Sequence, residues 1–442
     1  MTMLRFDQAL ECGLTELQQL LGSLPQGIHV VRDMSGCLTF VWPHILPVPA
    51  GDAQQRLHRI LGRWSSGISQ VLIAEDELLD ASDVVASPDR RVVSVQLDEE
   101  TSVNVSLIDR LASNQEWLRP PLPEIPGISL ASAFSIKGGV GRSTAFAVWA
   151  WYLARIGKRV VVIDLDLEAP GIASILLDKF PDFGLTDWLI EALPGDPVDS
   201  FADECIAPWF MNSELTEGSV HVVPAFGEKS KNYIEKLGRL YVPGIDSDGT
   251  VVGLTERLHR FIGQLAASRR YDVVLVDSRA GLHDIAASVV CRLQSEVFMF
   301  ARDEPQGWAA YRHLFRHLRE SSSVRWNAFN DESDLRWRLK TVGAQSETQE
   351  SARQALVERS YDVWLELYDV VEGDESNLFT FATNDTAAPH FPLMIPFDPR
   401  VRAVNLCSRQ QLPAWDIVWS TFGPFLSAAT ERLDLSPTGP SP

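Results

Sequence analysis

The sequence predicts a doubly wound α/β domain on a mostly parallel sheet, preceded by a small α+β domain. Three observations support this. After residue 127, short runs that are apolar on both faces alternate with helical patterns, as a buried parallel sheet requires. Before residue 119, an amphipathic stretch is followed by a hairpin-like pair of strands. Between the two lies a segment dense in proline.

We predict that residues 1–118 form the small α+β domain. Phe6 to Leu21 is amphipathic, a hairpin-like pair surrounds Ser35-Gly36, and short apolar runs follow at Gln70 to Ile73 and at Arg91 to Leu97. No catalytic spacing occurs in this region. A partner-binding or regulatory module is therefore the default interpretation.

Residues 119–127 predict a linker. The segment RPPLPEIPG contains four prolines, which exclude helix and favour an extended, semi-rigid connector.

Residues 128–426 predict the α/β domain. Its buried strands are the apolar runs at 128–134, 160–164, 220–225, 271–277, 295–301 and 392–397. Residues 321–390 interrupt this rhythm with a polar, acid-rich sequence, which we interpret as a helical insertion. Residues 427–442 end in SPTGPSP and predict a disordered tail.

Composition narrows the class of protein. The 442 residues are 45% hydrophobic and 22% charged, which is typical of a globular chain. The net charge of −20 disfavours binding to nucleic acid or anionic lipid. Five scattered cysteines without a C-x-x-C pair indicate a reducing compartment. With Asp7 and Glu11 where a signal peptide would be apolar, and no apolar stretch near about 18 residues, we predict a soluble, cytoplasmic protein.

A glycine-rich loop follows the first strand of the second domain. It reads SIKGGVGRST from Ser135 to Thr144, and an apolar helix follows. Glycines at a strand-to-helix turn let backbone N–H groups approach phosphate, and the helix N-terminus adds partial positive charge. A Ser or Thr hydroxyl there can bind Mg²⁺, which makes Ser143 a candidate metal ligand. The predicted phosphate-binding residues are Gly138, Gly139, Val140, Gly141, Arg142, Ser143 and Thr144.

The loop departs from the plain G-x-x-x-x-G-K-[ST] pattern, because Ile136 takes the first glycine position and Arg142 the lysine position. It resembles instead the deviant P-loop, K-G-G-x-G-K-[ST], of the ParA and MinD family of ATPases. The resemblance implies a P-loop NTPase domain, ATP and Mg²⁺ as cofactors, and an ATP-dependent homodimer. In that family the residue matching Lys137 reaches the nucleotide of the partner subunit, which implies a catalytic role for Lys137.

Two further segments resemble the same family. DLDLEAPG, from Asp164 to Gly171, is similar to its D-x-D switch I. This implies that Asp166 positions the attacking water and that Asp164 lies near the metal. YDVVLVDSRAG, ending at Gly281, is similar to its Walker B strand and switch II. Here Asp277 would hold Mg²⁺ through water, and Gly281 would sense the γ-phosphate.

A weaker match occurs at 395–399, IPFDP, which resembles the late adenine-side loop of the family and implicates Pro396 and Phe397 in base binding. Arg279 departs from the small residue or proline usual in switch II. Either a phosphate or dimer contact or an exposed ion pair would explain it, and the ion pair is the simpler reading.

Arg142, in place of the usual lysine, affects the prediction that ATP is hydrolysed. A guanidinium is planar and bidentate, whereas an ammonium is a point charge, so Arg142 should hold phosphate with altered geometry at the β and γ oxygens. Binding is therefore a safer prediction than hydrolysis. A nucleotide-bound scaffold that does not turn over is the main alternative, and a kinase or ligase of the same superfamily is a third.

Other signals are weaker. His313 and His317 share an i, i+4 spacing, but no third ligand is visible and a basic helix face explains them. Arginines between Arg302 and Lys340 are interleaved with acids, which favours a solvated face over a DNA-binding patch. The absence of N-K-x-D favours ATP over GTP. The proline-ending tail lacks a basic amphipathic helix for membrane binding.

The sequence therefore predicts an ATP-binding, Mg²⁺-dependent ATPase that acts as a nucleotide-driven dimerisation switch. Its output would reach an unidentified protein partner through residues 1–118 or the stretch 321–390. The resemblance also suggests a role in a multi-gene bacterial system of the defence type.

Overall fold

The computed structural model describes residues 4–25, 27–43, 51–78, 90–98, 101–195, 197, 199–210, 217–246, 249–321, 334–370, 378–402 and 404–436. The chain divides into two compact units, Met1–Arg119 and Pro120–Pro442. The division falls at the start of the proline-rich segment.

The first unit is a mixed five-stranded sheet in the order β3-β2-β1-β5-β4. Its strands are β1 His29–Arg32, β2 Leu38–Trp42, β3 Leu72–Ala74, β4 Arg90–Gln96 and β5 Ser102–Asp109, and its helices are α1 Phe6–Leu21 and α2 Gly51–Leu61. Strands β1 and β2 pair antiparallel around a turn that Asp33 closes, since its Oδ1 accepts the backbone N–H groups of Ser35 and Cys37. Leu10, Leu14 and Leu17 recur on one face of α1 and are buried in the core of this unit.

The second unit is built on an eight-stranded sheet in the order β15-β14-β13-β6-β12-β7-β9-β8. All neighbouring strands are parallel except β8 and β9. This confirms the predicted fold class. The strands are β6 Ser129–Ser135, β7 Arg159–Leu165, β8 Ala207–Pro208, β9 Ser219–Val223, β12 Val273–Ser278, β13 Glu296–Ala301, β14 Leu339–Ser346 and β15 Leu393–Pro396, while β10 Gly244–Ile245 and β11 Val251–Val252 form a separate hairpin.

Helices connect the strands of this sheet. They are α3 Arg142–Arg155, α4 Ile172–Leu176, α5 Leu185–Glu191, α6 Asp199–Glu204, α7 Tyr233–Leu237, α8 Leu254–Ala267, α9 Asp284–Ala287, α10 Pro305–Glu320, α11 Leu335–Arg338, α12 Glu350–Trp364 and α13 Trp415–Arg432. Helix α3 follows the glycine-rich loop and is buried along nearly its whole length. It packs between the sheet and α13, where Trp149 lies against Phe298 and Phe425.

The interpretation of 321–390 as an insertion is wrong. Within it, β14 pairs in parallel with both β13 and β15, and α12 is the helix that crosses from β14 to β15. Hydrophobic patterning does not identify this strand, because its sequence, LKTVGAQS, contains polar residues. Their polar groups form hydrogen bonds inside the core. Lys340 Nζ donates to the carbonyl oxygen of Ala388, and Thr341 Oγ1 accepts from Trp364 Nε1. Residues 322–333 and 371–377 of that stretch lie outside the described residues.

The predicted start of a disordered tail at residue 427 is also wrong. Helix α13 continues to Arg432, and both Ala429 and Thr430 are buried. This helix packs on α3, where Phe425 and Thr430 contact Trp149, and it ends before the sequence SPTGPSP begins. Residues 437–442 lie outside the described residues.

Within the described part of the chain, every helix is too short or too polar to cross a membrane. Cytoplasmic location stays a prediction from the sequence.

Lys340 predicts a pH dependence of stability. Its side chain is only 4% exposed, and burial, followed by the nearby charge of Arg432, lowers the pKa of its ammonium group to about 7. Since the unfolded side chain has a pKa of about 10.4, the unfolded chain binds a proton between roughly pH 7 and 10 that the folded chain does not. This residue should therefore make stability rise with pH across that window, by up to about 1.4 kcal/mol per pH unit.

The test compares wild type with Lys340→Met by urea unfolding across the same pH range. The slope of unfolding free energy against pH should be smaller in the variant, while the lost hydrogen bond to Ala388 should lower its stability equally at each pH. Parallel curves for the two proteins would contradict the assignment.

Candidate functional site

The candidate site lies at the carboxyl edge of the large sheet. The loops that follow β15, β14, β13, β6, β12 and β7 all leave the sheet at this edge, because these neighbouring strands are parallel. The chain crosses from one side of β6 to the other here, with β13 on one side and β12 on the other. In open α/β sheets, ligands bind at such a topological switch point.

The glycine-rich loop joins β6 to α3 as the sequence predicts. Gly139 has φ 74° and Gly141 has φ 88°, both in the left-handed region that glycine adopts without strain. A Cβ at Gly139 would meet nothing within 4 Å, so backbone conformation and not space requires glycine there. Gly141 caps the N-terminus of α3, which leaves backbone N–H groups and the positive end of the helix dipole facing the loop.

A cleft of about 600 Å³ opens beside this loop. Its lining residues are Ser135, Gly139, Val140, Gly141, Arg142, Ser143, Thr144, Arg302, Gln345, Phe397 and Arg402. A smaller cleft of about 70 Å³ adjoins it and adds the apolar side chains of Ile395, Pro396, Val401 and Phe422. The predicted phosphate-binding residues from Gly139 to Thr144 and the predicted base-side residues Pro396 and Phe397 therefore converge on one continuous depression.

Three lining residues were missed by sequence reasoning, namely Arg302, Gln345 and Arg402. Gln345 sits at a bulge in β14 with φ 51°, a rare conformation for a residue other than glycine. Its Nε2 donates to the carbonyl oxygen of Gly139 at 3.0 Å, so it fixes the loop. Arg302 follows β13 and lies 3.5 Å from Glu304, while the Arg402 guanidinium makes no ion pair with any residue in the described ranges. No motif in the sequence marks these positions.

Arg142 is buried, and its guanidinium joins three separate segments. Nε donates to Asp277 Oδ1 at 2.8 Å, Nη1 to Ser135 Oγ at 2.8 Å, and Nη2 to Asp166 Oδ2 at 3.4 Å. The Ser135 hydroxyl in turn donates to the carbonyl oxygen of Lys137. The structure thus ties the loop residue to both of the carboxylates that the sequence predicts as catalytic.

Asp164 supports the loop after β7. It is fully buried, and its carboxylate accepts backbone N–H groups from Asp166 at 3.3 Å, Gly171 at 3.1 Å and Ala173 at 3.2 Å. Burial, followed by the charge of Asp277, raises the pKa of Asp164 to about 8 against the effect of these donors. Burial also raises the pKa of Asp166, while Arg142 acts in the opposite direction.

Lys137, Gly138 and Gly281 stand apart from the cleft lining. Lys137 Nζ pairs with Glu304 Oε2 at 2.8 Å and donates to Gln306 Oε1 at 3.0 Å, and its side chain is 41% exposed. The backbone N–H of Gly281 donates to the carbonyl oxygen of Ser135 at 2.9 Å. Arg279 forms an exposed ion pair with Glu168 at 2.6 Å, as the simpler reading expects.

In this arrangement the described protein groups alone do not make up a magnesium site. Asp277 Oδ2 is buried without a hydrogen-bond partner and Ser143 lines the cleft, which are two suitable oxygens. The other oxygen of Asp277, however, accepts a hydrogen bond from a guanidinium. Among the described residues, no group of three or more His, Cys, Asp or Glu side chains is placed to hold a metal. The predicted metal ligands Ser143, Asp164 and Asp277 therefore do not form a magnesium site by themselves.

No family model matches the chain. Protein Rv2184c of Mycobacterium tuberculosis (strain ATCC 25618 / H37Rv) is 33% identical over 165 residues, which cover 34% of this chain and 35% of that protein. The chain thus matches only about a third of the length of this relative.

Several solved structures are similar to this chain over about 70% of its length. ParA of pNOB8 bound to nonspecific DNA has 14% identity and a TM-score of 0.43, covering 70% of this chain and 97% of that chain. The cell division protein MinD of Aquifex aeolicus has 16% identity and a TM-score of 0.42, covering 70% and 98%. The septum site-determining protein MinD of Pyrococcus horikoshii OT3, complexed with Mg-ADP, has 18% identity and a TM-score of 0.41, covering 70% and 94%.

Proposed function

We propose that this chain is an ATP-binding molecular switch. The observation that carries the proposal is the cleft beside the glycine-rich loop. Two glycines in the left-handed region and the N-terminus of α3 present backbone N–H groups to it, and it lies where the carboxyl ends of parallel strands meet. This combination suits a polyphosphate.

The charge and shape of the cleft support a nucleotide in particular. Although the chain carries a net charge of −20, three arginines line this cleft: Arg142, Arg302 and Arg402. Such a local excess of positive charge favours phosphate. The adjoining small cleft is largely apolar and ends at Phe397, whose side chain is 53% exposed and available to contact a base. The absence of a guanine-specific N-K-x-D element favours ATP.

Hydrolysis of ATP is the next step of the proposal. Asp166 follows β7 at the edge of the site, is 14% exposed, and is the residue we propose to position the attacking water. The requirement for Mg²⁺ stays a prediction from the sequence.

Dimerisation would couple the nucleotide to an output. In the proposed closed form, two copies face each other around two ATP molecules, and Lys137 leaves Glu304 to reach the nucleotide of the partner. The ion pair with Glu304 is half exposed, so its loss costs little. The closed form would act on an unidentified protein, and a multi-gene bacterial defence system is a context that we propose on the sequence resemblance alone.

One observation favours a second candidate, a nucleotide-bound scaffold with little or no turnover. Arg142 contacts both Asp166 and Asp277, the two carboxylates on which hydrolysis would depend. If the guanidinium stays there after ATP binds, the protein would hold nucleotide without consuming it.

The two candidates differ in solution mass. We expect ATP with Mg²⁺ to about double the mass of Asp166→Ala, which would retain ATP, and to leave Asp166→Ala/Lys137→Ala monomeric. Light scattering measures this directly. Lys229→Ala on the Asp166→Ala background is the matched control, because Lys229 forms a similar exposed ion pair, with Asp182 at 2.6 Å, on a different segment. ATP binding without any change in mass would favour the scaffold, and repeated turnover that Asp166→Ala abolishes would exclude it.

A further inference from the structure

The position predicted to hold a metal already contains a cation, and that cation belongs to the chain. The guanidinium of Arg142 lies 2.8 Å from Asp277 Oδ1 and 3.4 Å from Asp166 Oδ2. The side chain of Arg142 is 7% exposed and that of Asp277 is 0% exposed, so water contributes little to neutralising this pair. The carboxylate at the end of β12 thus has its counter-charge built into the glycine-rich loop.

The contacts of Arg142 leave part of its hydrogen-bonding capacity free. A guanidinium carries five N–H groups in a rigid fork. Three of these N–H groups have acceptors in the protein: that of Nε donates to Asp277, one of Nη1 to Ser135 and one of Nη2 to Asp166. Since Arg142 also lines the 600 Å³ cleft, the other two can meet a phosphate oxygen while the guanidinium stays on Asp277. An ammonium group is a point charge and cannot span these three acceptors in the same way.

A divalent cation would compete with this guanidinium. Mg²⁺ demands near-ideal octahedral oxygen coordination, and Asp277 is the buried carboxylate it would need. A Mg²⁺ ion bound directly to Asp277 would compete with the guanidinium for the single negative charge of this carboxylate, whose Oδ1 accepts from Arg142 Nε at 2.8 Å. Arg142 and Mg²⁺ are therefore alternatives at Asp277.

We propose that Arg142 is the resident cation of this site and lets the protein bind nucleotide without a divalent ion. The inference rests on the proposed function, because the ligand is the nucleotide assigned there. It separates binding, which the chain supports with its own cation, from hydrolysis.

The first test measures ADP affinity by calorimetry in EDTA and in magnesium chloride. Wild-type affinity should differ by less than about threefold between the two solutions, because the guanidinium already supplies the positive charge. Arg142→Lys should lose more than about tenfold in EDTA, since an ammonium group cannot bridge the two carboxylates and the phosphate. Arg432→Lys is the matched control and should behave like wild type, because its guanidinium also pairs with a partly buried carboxylate, that of Glu296, but does not line the cleft. A loss of about tenfold or more for wild type in EDTA would overturn the proposal.

The second test needs no nucleotide. Arg142→Gln removes the cation from Asp277 and Asp166, so magnesium chloride should raise its unfolding midpoint, whereas potassium chloride of equal ionic strength should not. The wild-type midpoint should be indifferent to the choice of salt. If Arg142→Gln does not fold, Arg142→Met, which also removes the charge and keeps a long side chain, replaces it in the same comparison.

The two tests distinguish a failure of the proposed function from a failure of the proposal about Arg142. If ADP binds in neither solution, the proposed function is wrong, and the unfolding midpoints then decide on Arg142 alone. A wild type indifferent to Mg²⁺ beside a variant stabilised by it would support the resident cation. Specific stabilisation of wild type by Mg²⁺ would overturn it.

Discussion

Replacing Gly141 by Glu is expected to weaken ATP binding by at least about a hundredfold, for two reasons that act together. Gly141 has φ 88°, which costs a residue with a side chain about 1–3 kcal/mol. The new carboxylate would also project from the N-terminus of α3, beside Gln345 Nε2 at 3.7 Å from the added Cβ, into the cleft where phosphate should bind. Calorimetric titration with ATP measures the effect.

Gly141→Ala separates these two contributions, because it introduces the strain without the charge. Its affinity should lie between those of wild type and Gly141→Glu. A urea unfolding curve for each variant shows whether the second unit still folds. Equal ATP affinity in wild type and in a folded Gly141→Glu would remove the basis for the proposed function.

The large sheet could be predicted from the sequence wherever its strands are apolar on both faces. The run 160–164 corresponds to β7 Arg159–Leu165 and the run 295–301 to β13 Glu296–Ala301. Strand β14 could not be found in this way, because its buried Lys340 is accommodated by one carbonyl oxygen 48 residues away. Hydrophobic periodicity records burial only where burial is apolar, so a strand with internally satisfied polar groups escapes it.

The candidate site likewise has residues that the sequence predicts and residues that it does not. Gly139 and Gly141 could be predicted because a phosphate-binding loop is contiguous and its chemistry is local. The cleft also depends on Gln345 and Arg402, which come from other loops and carry no motif. The position of the Arg142 guanidinium is set by residues 7, 24 and 135 positions away along the chain. The sequence shows that arginine replaces lysine at position 142, but it does not show which groups this arginine contacts.

Replacing Trp149 by Ala is expected to lower the free energy of unfolding of the second unit by about 3–5 kcal/mol. Trp149 lies on α3, is fully buried, and has ring centroids of Phe298 at 5.2 Å, Phe146 at 5.4 Å and Phe425 at 5.9 Å around it. Its Nε1 also donates to Thr430 Oγ1 at 2.9 Å. The substitution would therefore open a cavity between the sheet, α3 and α13, and these elements cannot collapse into it without moving the helix that begins at the phosphate-binding loop.

Two matched variants make this prediction specific to the cavity. Trp149→Phe keeps an aromatic ring and loses the hydrogen bond to Thr430. It should lower the free energy of unfolding by only about 1 kcal/mol, because the Thr430 hydroxyl still donates to the carbonyl oxygen of Leu426. Trp419→Ala removes a partly buried ring from α13, which packs at 5.6 Å from the ring of Tyr152, and should cost less than Trp149→Ala. Urea unfolding followed by circular dichroism measures all three. Equal losses for Trp149→Ala and Trp419→Ala would mean that the depth of burial of Trp149 does not set the cost, and a loss below about 1 kcal/mol for Trp149→Ala would contradict the stabilising contact between α3 and α13.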